Sequence, residues 1–95
     1  MSDRRSLRVT VVTAPGCHFC EDAHRELAEL VDGGAAIELD VVEATSETGS
    51  HLLRTHRPAM NPLVLVDGAY FSAGRFPRRK FHALLTAGTQ EVRHG

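Results

Sequence analysis

Leu7-Arg8-Val9-Thr10-Val11-Val12-Thr13-Ala14-Pro15-Gly16-Cys17-His18-Phe19-Cys20 holds both cysteines of the chain. Leu7 to Val12 is β-branched and partly alternating, which predicts a strand. Thr13-Ala14-Pro15-Gly16 breaks it. From His18 to Asp32 the period becomes helical. Phe19, Cys20, Ala23, Leu27, Leu30 and Val31 fall on one arc, and His18, Glu21, Asp22, Arg25, Glu26 and Glu29 on the opposite one. Asp32-Gly33-Gly34 supplies the stop. Two thiols separated by two residues therefore stand where a strand gives way to a helix. Cys17 is at the helix start, on the rim of the apolar arc, and Cys20 lies inside it.

Beyond this unit, Ala36 to Val42 alternates as a second strand. Ser46 is placed to cap a helix running to about His56, which Gly49 weakens and Pro58 ends. Leu63 to Val66 is a short apolar strand, Asp67-Gly68 a hairpin turn and Ala69 to Ser72 the return strand. Gly74 breaks the chain again. Pro77 opens a last helix with Phe81, Leu84 and Leu85 as its inner face. Thr89 to Gly95 reads as a loose tail. The order is β-α-β-α-β-β-α, an α/β arrangement in a single domain over residues 1–95. Its first β-α-β unit should be parallel and right-handed. The hairpin completes a four-stranded mixed sheet with helices on both faces.

Ninety-five residues at 42% hydrophobic content suffice for a core without covalent staples, so the cysteines are not needed structurally. A formal charge of −1 gives no global attraction to nucleic acid or membrane. No apolar run approaches the roughly 18 residues of a membrane span. Met1 to Arg5 leads into too short an apolar stretch for a secretory signal. The expectation is a soluble cytoplasmic monomer, in a compartment that keeps thiols reduced. There a close cysteine pair points to redox or metal chemistry.

The attacking species in thiol chemistry is the thiolate. At a helix start, unpaired N–H groups and the helix dipole favour an anion, so Cys17 is expected to be more acidic than a free thiol. A charged His18 would push the same way, and Glu21 and Asp22 oppose it. Cys17 is then the attacking sulfur and Cys20, one turn on and more buried, the resolving one. Two inert core cysteines would explain Cys20 alone, but not Cys17 directly after Pro-Gly. His24 could complete a three-ligand metal set with the cysteines, although a half-buried histidine on the helix rim explains it as well. Arg75, Arg78, Arg79 and Lys80 around the last helix start read either as a docking patch for an acidic partner or thiol carboxylate, or as a solvated basic face.

The chain resembles the thioredoxin superfamily, and within it the glutaredoxins and small glutaredoxin-like redoxins, over residues 7 to about 88. The resemblance rests on Cys17-His18-Phe19-Cys20 after a strand, on Ala23 and Leu27 following it, on Asn61-Pro62 opening Leu63 to Val66, and on Asp67-Gly68 with Ser72-Ala73-Gly74-Arg75 before the last helix. It implies a thioredoxin-like fold with a cis Pro62. Cys17 and Cys20 would be catalytic, and His18, Phe19, Asn61, Pro62 and Arg75 would bind substrate. The backbone of Asn61 would pair with an extended peptide.

The chain departs from the family's patterns as well. Gly16 stands where thioredoxins carry tryptophan, His18 where glutaredoxins favour proline, and Met60-Asn61-Pro62 where Thr-Val-Pro is usual. Residues that hold glutathione are not evident, so another low-molecular-weight thiol such as mycothiol could serve.

The implied function is a thiol–disulfide oxidoreductase that reduces protein or mixed disulfides through a Cys17/Cys20 cycle. It would use no tightly bound cofactor and no metal, and would be recharged by a reductase or by a thiol such as glutathione. One alternative is single-cysteine, thiol-dependent deglutathionylation through Cys17. Another is a metal or iron–sulfur carrier built on Cys17 of two chains.

Overall fold

The computed structural model describes residues 6–94, with side-chain environments through Thr86. The elements follow the predicted order: β1 (Leu7–Thr13), α1 (His18–Asp32), β2 (Ile37–Glu43), α2 (Glu47–His56), β3 (Leu63–Val66), β4 (Ala69–Ala73) and α3 (Arg78–His94). The sheet order is β2-β1-β3-β4. β1 runs parallel to β2, with Val9 opposite Leu39. β3 is antiparallel to β1, with Val12 opposite Leu63, and antiparallel to β4, with Leu63 opposite Ala73.

Alternation along β1 distributes the core over two faces. Val9 and Val11 join Val64 and Ile37 beneath Ala23 and Leu27 of α1 and Phe81 of α3. Val12, with Leu63 and Leu65 of β3, packs on the other face under Leu52 and Leu53 of α2. Val9, Val11, Val12, Leu27, Leu63, Val64 and Phe81 are fully buried. Each contributes about 1.5–3 kcal/mol of hydrophobic stabilisation. Phe81 is edge-on to Phe71 at 5.7 Å and tilted against Phe76 at 5.4 Å, which locks α3 to the strand before it. The result is an α/β fold with an open, mixed four-stranded sheet and three helices.

The β3–β4 turn has φ of +51° at Asp67 and +84° at Gly68. Two positive values suit the inverted turns that match strand twist in two-residue hairpins. Asp67 also ties the turn to β1: its Oδ1 accepts the Arg8 N–H at 3.0 Å, and its N–H donates to the Arg8 carbonyl at 2.7 Å.

Three local readings change. The last helix extends through His94 instead of yielding to a tail near residue 89. Gln90, Glu91 and Arg93 are good helix formers, and Gly88 alone does not outweigh them. Pro77 sits one position before that helix, its carbonyl accepting the Phe81 N–H at 3.0 Å. Gly49 is not a weakness in α2. It is buried, and a Cβ there would collide with the Glu43 carbonyl oxygen and stand 2.8 Å from its carbon.

α2 is capped as read, Ser46 Oγ accepting the Gly49 N–H at 3.0 Å. Its other end is costly: Arg57 takes φ +48°, ψ +56°. A left-handed conformation disfavours any residue with a Cβ. Arg57→Gly should therefore raise stability by about 0.5–1 kcal/mol, measured as an upward shift of the urea midpoint at constant slope. No described helix is long and apolar enough to cross a membrane.

Candidate dithiol site

β1 ends at Thr13, and the chain turns through Gly16, whose φ of +68° lies in the left-handed region. A glycine takes that conformation without penalty. The turn delivers Cys17 to the N-cap of α1 in an extended conformation. Its carbonyl accepts the Glu21 N–H at 3.1 Å, and its Sγ accepts the Cys20 N–H at 3.1 Å. The sulfur thus occupies the place of a capping oxygen, facing the unpaired donors of the first helical turn.

Cys17 and Cys20 are joined in a disulfide with their Cα atoms 5.2 Å apart, an ordinary separation for such a bond. The two ends differ in access. Cys20 is 2% exposed and embedded against the core, whereas Cys17 is half-buried. His18 and Phe19 between them are exposed, Phe19 to 39%.

The register sets what stands beside this pair. Val12 pairs with Leu63, so Pro62 lies next to the point where β1 becomes the cysteine loop. The Asn61–Pro62 peptide bond is cis. Pro62 is buried, Asn61 is exposed, and the Pro62 carbonyl accepts the Gly74 N–H at 3.0 Å. Leu63 pairs in turn with Ala73, which brings Gly74 and Arg75 to the same end of the sheet. Three segments far apart in sequence therefore converge: Cys17–Cys20, Met60–Pro62 and Gly74–Arg75.

Charge is sorted around that end. Asp22 pairs with Arg25 at 2.6 Å, within α1. Arg78 reaches from α3 to Glu26 of α1, Nη1 to Oε2 at 2.7 Å. The hydrogen bond that Arg78 donates to Glu26, and then the Glu26 charge, hold the Arg78 guanidinium above its ordinary pKa, so it remains a cation at every accessible pH. Lys80 lies 5.2 Å over the Phe71 ring, a cation–π contact. Of the four basic residues, Arg75 and Arg79 are exposed and make no ion pair among the described residues. His24 is exposed, and no three His, Cys, Asp or Glu side chains among the described residues form a metal-sized group.

Two features of the site escape a linear reading. Glu26 and Arg78 meet across 52 residues, and Met60 lies over Gly74.

Neither a protein-family model nor a curated protein sequence matches this chain. The mixed sheet with its two-residue-spaced cysteine disulfide is compatible with a thioredoxin-like fold and with redox activity.

Proposed function

We propose that this chain is a thiol–disulfide oxidoreductase of glutaredoxin-like type, with a thioredoxin-like fold, that reduces protein or mixed disulfides. One observation carries the reading. Cys17, the more accessible of the two cysteines, is the N-cap of α1 and is bonded to a buried Cys20 one turn further on.

In the reduced protein the Cys17 thiolate attacks one sulfur of a substrate disulfide. A Cys17–substrate bond forms, and the other substrate sulfur leaves as a thiolate that takes a proton. Cys20 loses its proton and attacks Cys17 Sγ. The Cys17–Cys20 bond forms and the second substrate thiol is released. Two electrons have passed from the dithiol to the substrate, and the product is the disulfide found here. A reductase or a low-molecular-weight thiol must return them. In this mechanism the helix-terminal N–H groups favour Cys17 as attacker and as leaving group. Burial keeps Cys20 from other partners.

Support for substrate contacts at His18, Phe19, Asn61, Pro62 and Arg75 comes from the convergence of their segments on the dithiol end. The decisive experiment compares reduction of a protein disulfide when the protein is recharged by thioredoxin reductase with NADPH and by small thiols such as glutathione or mycothiol. Turnover with neither class of donor would end the proposal.

Arg75 has no competing ion pair among the described residues and is the cation best placed to meet the reducing partner. Arg75→Ala should raise the KM for that partner by about two- to tenfold with kcat little changed, and the effect should shrink at high salt. An unchanged KM would reduce the basic run to a solvated face.

A further inference from the structure

Met60 is 52% exposed, yet its thioether is seated. A Cβ built on Gly74 would stand 3.2 Å from Met60 Sδ and 3.5 Å from its Cβ. Gly74, at φ +85°, carries no side chain, and the Met60 thioether lies over it. The seat is tied to the dithiol end twice, by the Gly74 N–H on the Pro62 carbonyl and by the pairing of Val12 with Leu63. Five large apolar side chains are exposed among the described residues: Phe19, Val31, Val41, Met60 and Tyr70. Phe19 and Met60 belong to the segments that flank the disulfide.

We propose that Met60 is an oxidation site through which peroxide-class oxidants lower the protein's capacity to dock protein disulfides. The proposal rests on the oxidoreductase reading above and adds its regulation. The step balances: the thioether sulfur attacks the peroxide, an S=O bond forms as the O–O bond breaks, sulfur loses two electrons, and one water leaves. The sulfoxide is polar and bulkier at sulfur, so it no longer offers an apolar flank over Gly74. A protein substrate that lays apolar side chains beside its disulfide loses that contact. A small hydrophilic disulfide, which reaches only the sulfurs, does not.

The test starts from the protein in its disulfide form, where the cysteines are protected, and treats it with hydrogen peroxide. Peptide mass mapping should show one added oxygen at Met60. After removal of peroxide, kcat/KM for insulin disulfides should fall about five- to tenfold, while that for bis(2-hydroxyethyl) disulfide stays unchanged. In Met60→Leu the ratio of insulin turnover after peroxide to that before should stay near one, which separates Met60 from any other oxidised group.

Met60 remaining unoxidised under peroxide that converts free methionine would overturn the proposal, as would a Met60 sulfoxide protein that handles insulin as well as the untreated one. An untreated protein that reduces neither disulfide would sink the oxidoreductase reading itself, and this regulation with it. An untreated protein that is active, but unaffected by the sulfoxide, sinks the regulation alone.

Discussion

Cys17→Ser protein turns over no disulfide, with a loss of at least roughly a thousandfold against the native chain, because a hydroxyl at the helix start is neither ionised nor a soft nucleophile near neutral pH. Cys20→Ser behaves differently and is the more informative change. Without the resolving sulfur, the attack by Cys17 still proceeds, but the covalent adduct has no internal exit. Mass spectrometry should find the substrate held on Cys17 in near-stoichiometric amount, while steady-state reduction of protein disulfides falls on the order of a hundredfold or more. Both losses must occur with folding intact, checked by far-ultraviolet circular dichroism. The Cys20 side chain is 2% exposed, and serine there buries a hydroxyl, so a modest fall in stability accompanies the change. If Cys20→Ser retains full turnover of a glutathione mixed disulfide, the single-cysteine route replaces the dithiol cycle.

Gly49→Ala is expected to be the most damaging of the conservative substitutions. The added methyl would overlap the Glu43 carbonyl oxygen, and its next neighbours are the Glu43 carbonyl carbon at 2.8 Å and Ala44 Cα at 3.1 Å. All three are backbone, so no side chain can turn aside. α2 must instead lift from the end of β2, loosening Leu52 and Leu53 from Val12, Leu63 and Leu65. Helix propensity alone would credit alanine with about 1 kcal/mol over glycine. The clash outweighs it, for a net loss of about 2–3 kcal/mol and a Tm lower by on the order of 10–20 °C. Thr48→Ala, one residue earlier and exposed, should stay within about 0.5 kcal/mol of the native protein. A Gly49→Ala protein as stable as that control would show that α2 can shift at little cost.

Gly49 marks the boundary of what a linear reading can see. Its own backbone freedom makes glycine a poor helix residue, and the reason for it lies six positions back, on a strand end against which α2 packs. The same limit applies to Met60 and Gly74, to Glu26 and Arg78, and to Lys80 over Phe71. Each pair is distant along the chain and owes its meeting to register or helix packing. The extent of the last helix escapes the sequence for another reason: a polar tail and a polar helical turn share one composition.

The order of strands and helices, the Asp67–Gly68 turn, the Ser46 cap and the placing of Cys17 at a helix start and Cys20 on its apolar face were all legible in the residues. Each depends on dihedral preference and on hydrophobic period, which act over a few neighbours. Which segments share the dithiol end, which cations stay unpaired there and where a glycine is obligatory were settled by three-dimensional packing. Those outcomes depend on excluded volume and on charge between groups that lie from six to 52 positions apart along the chain.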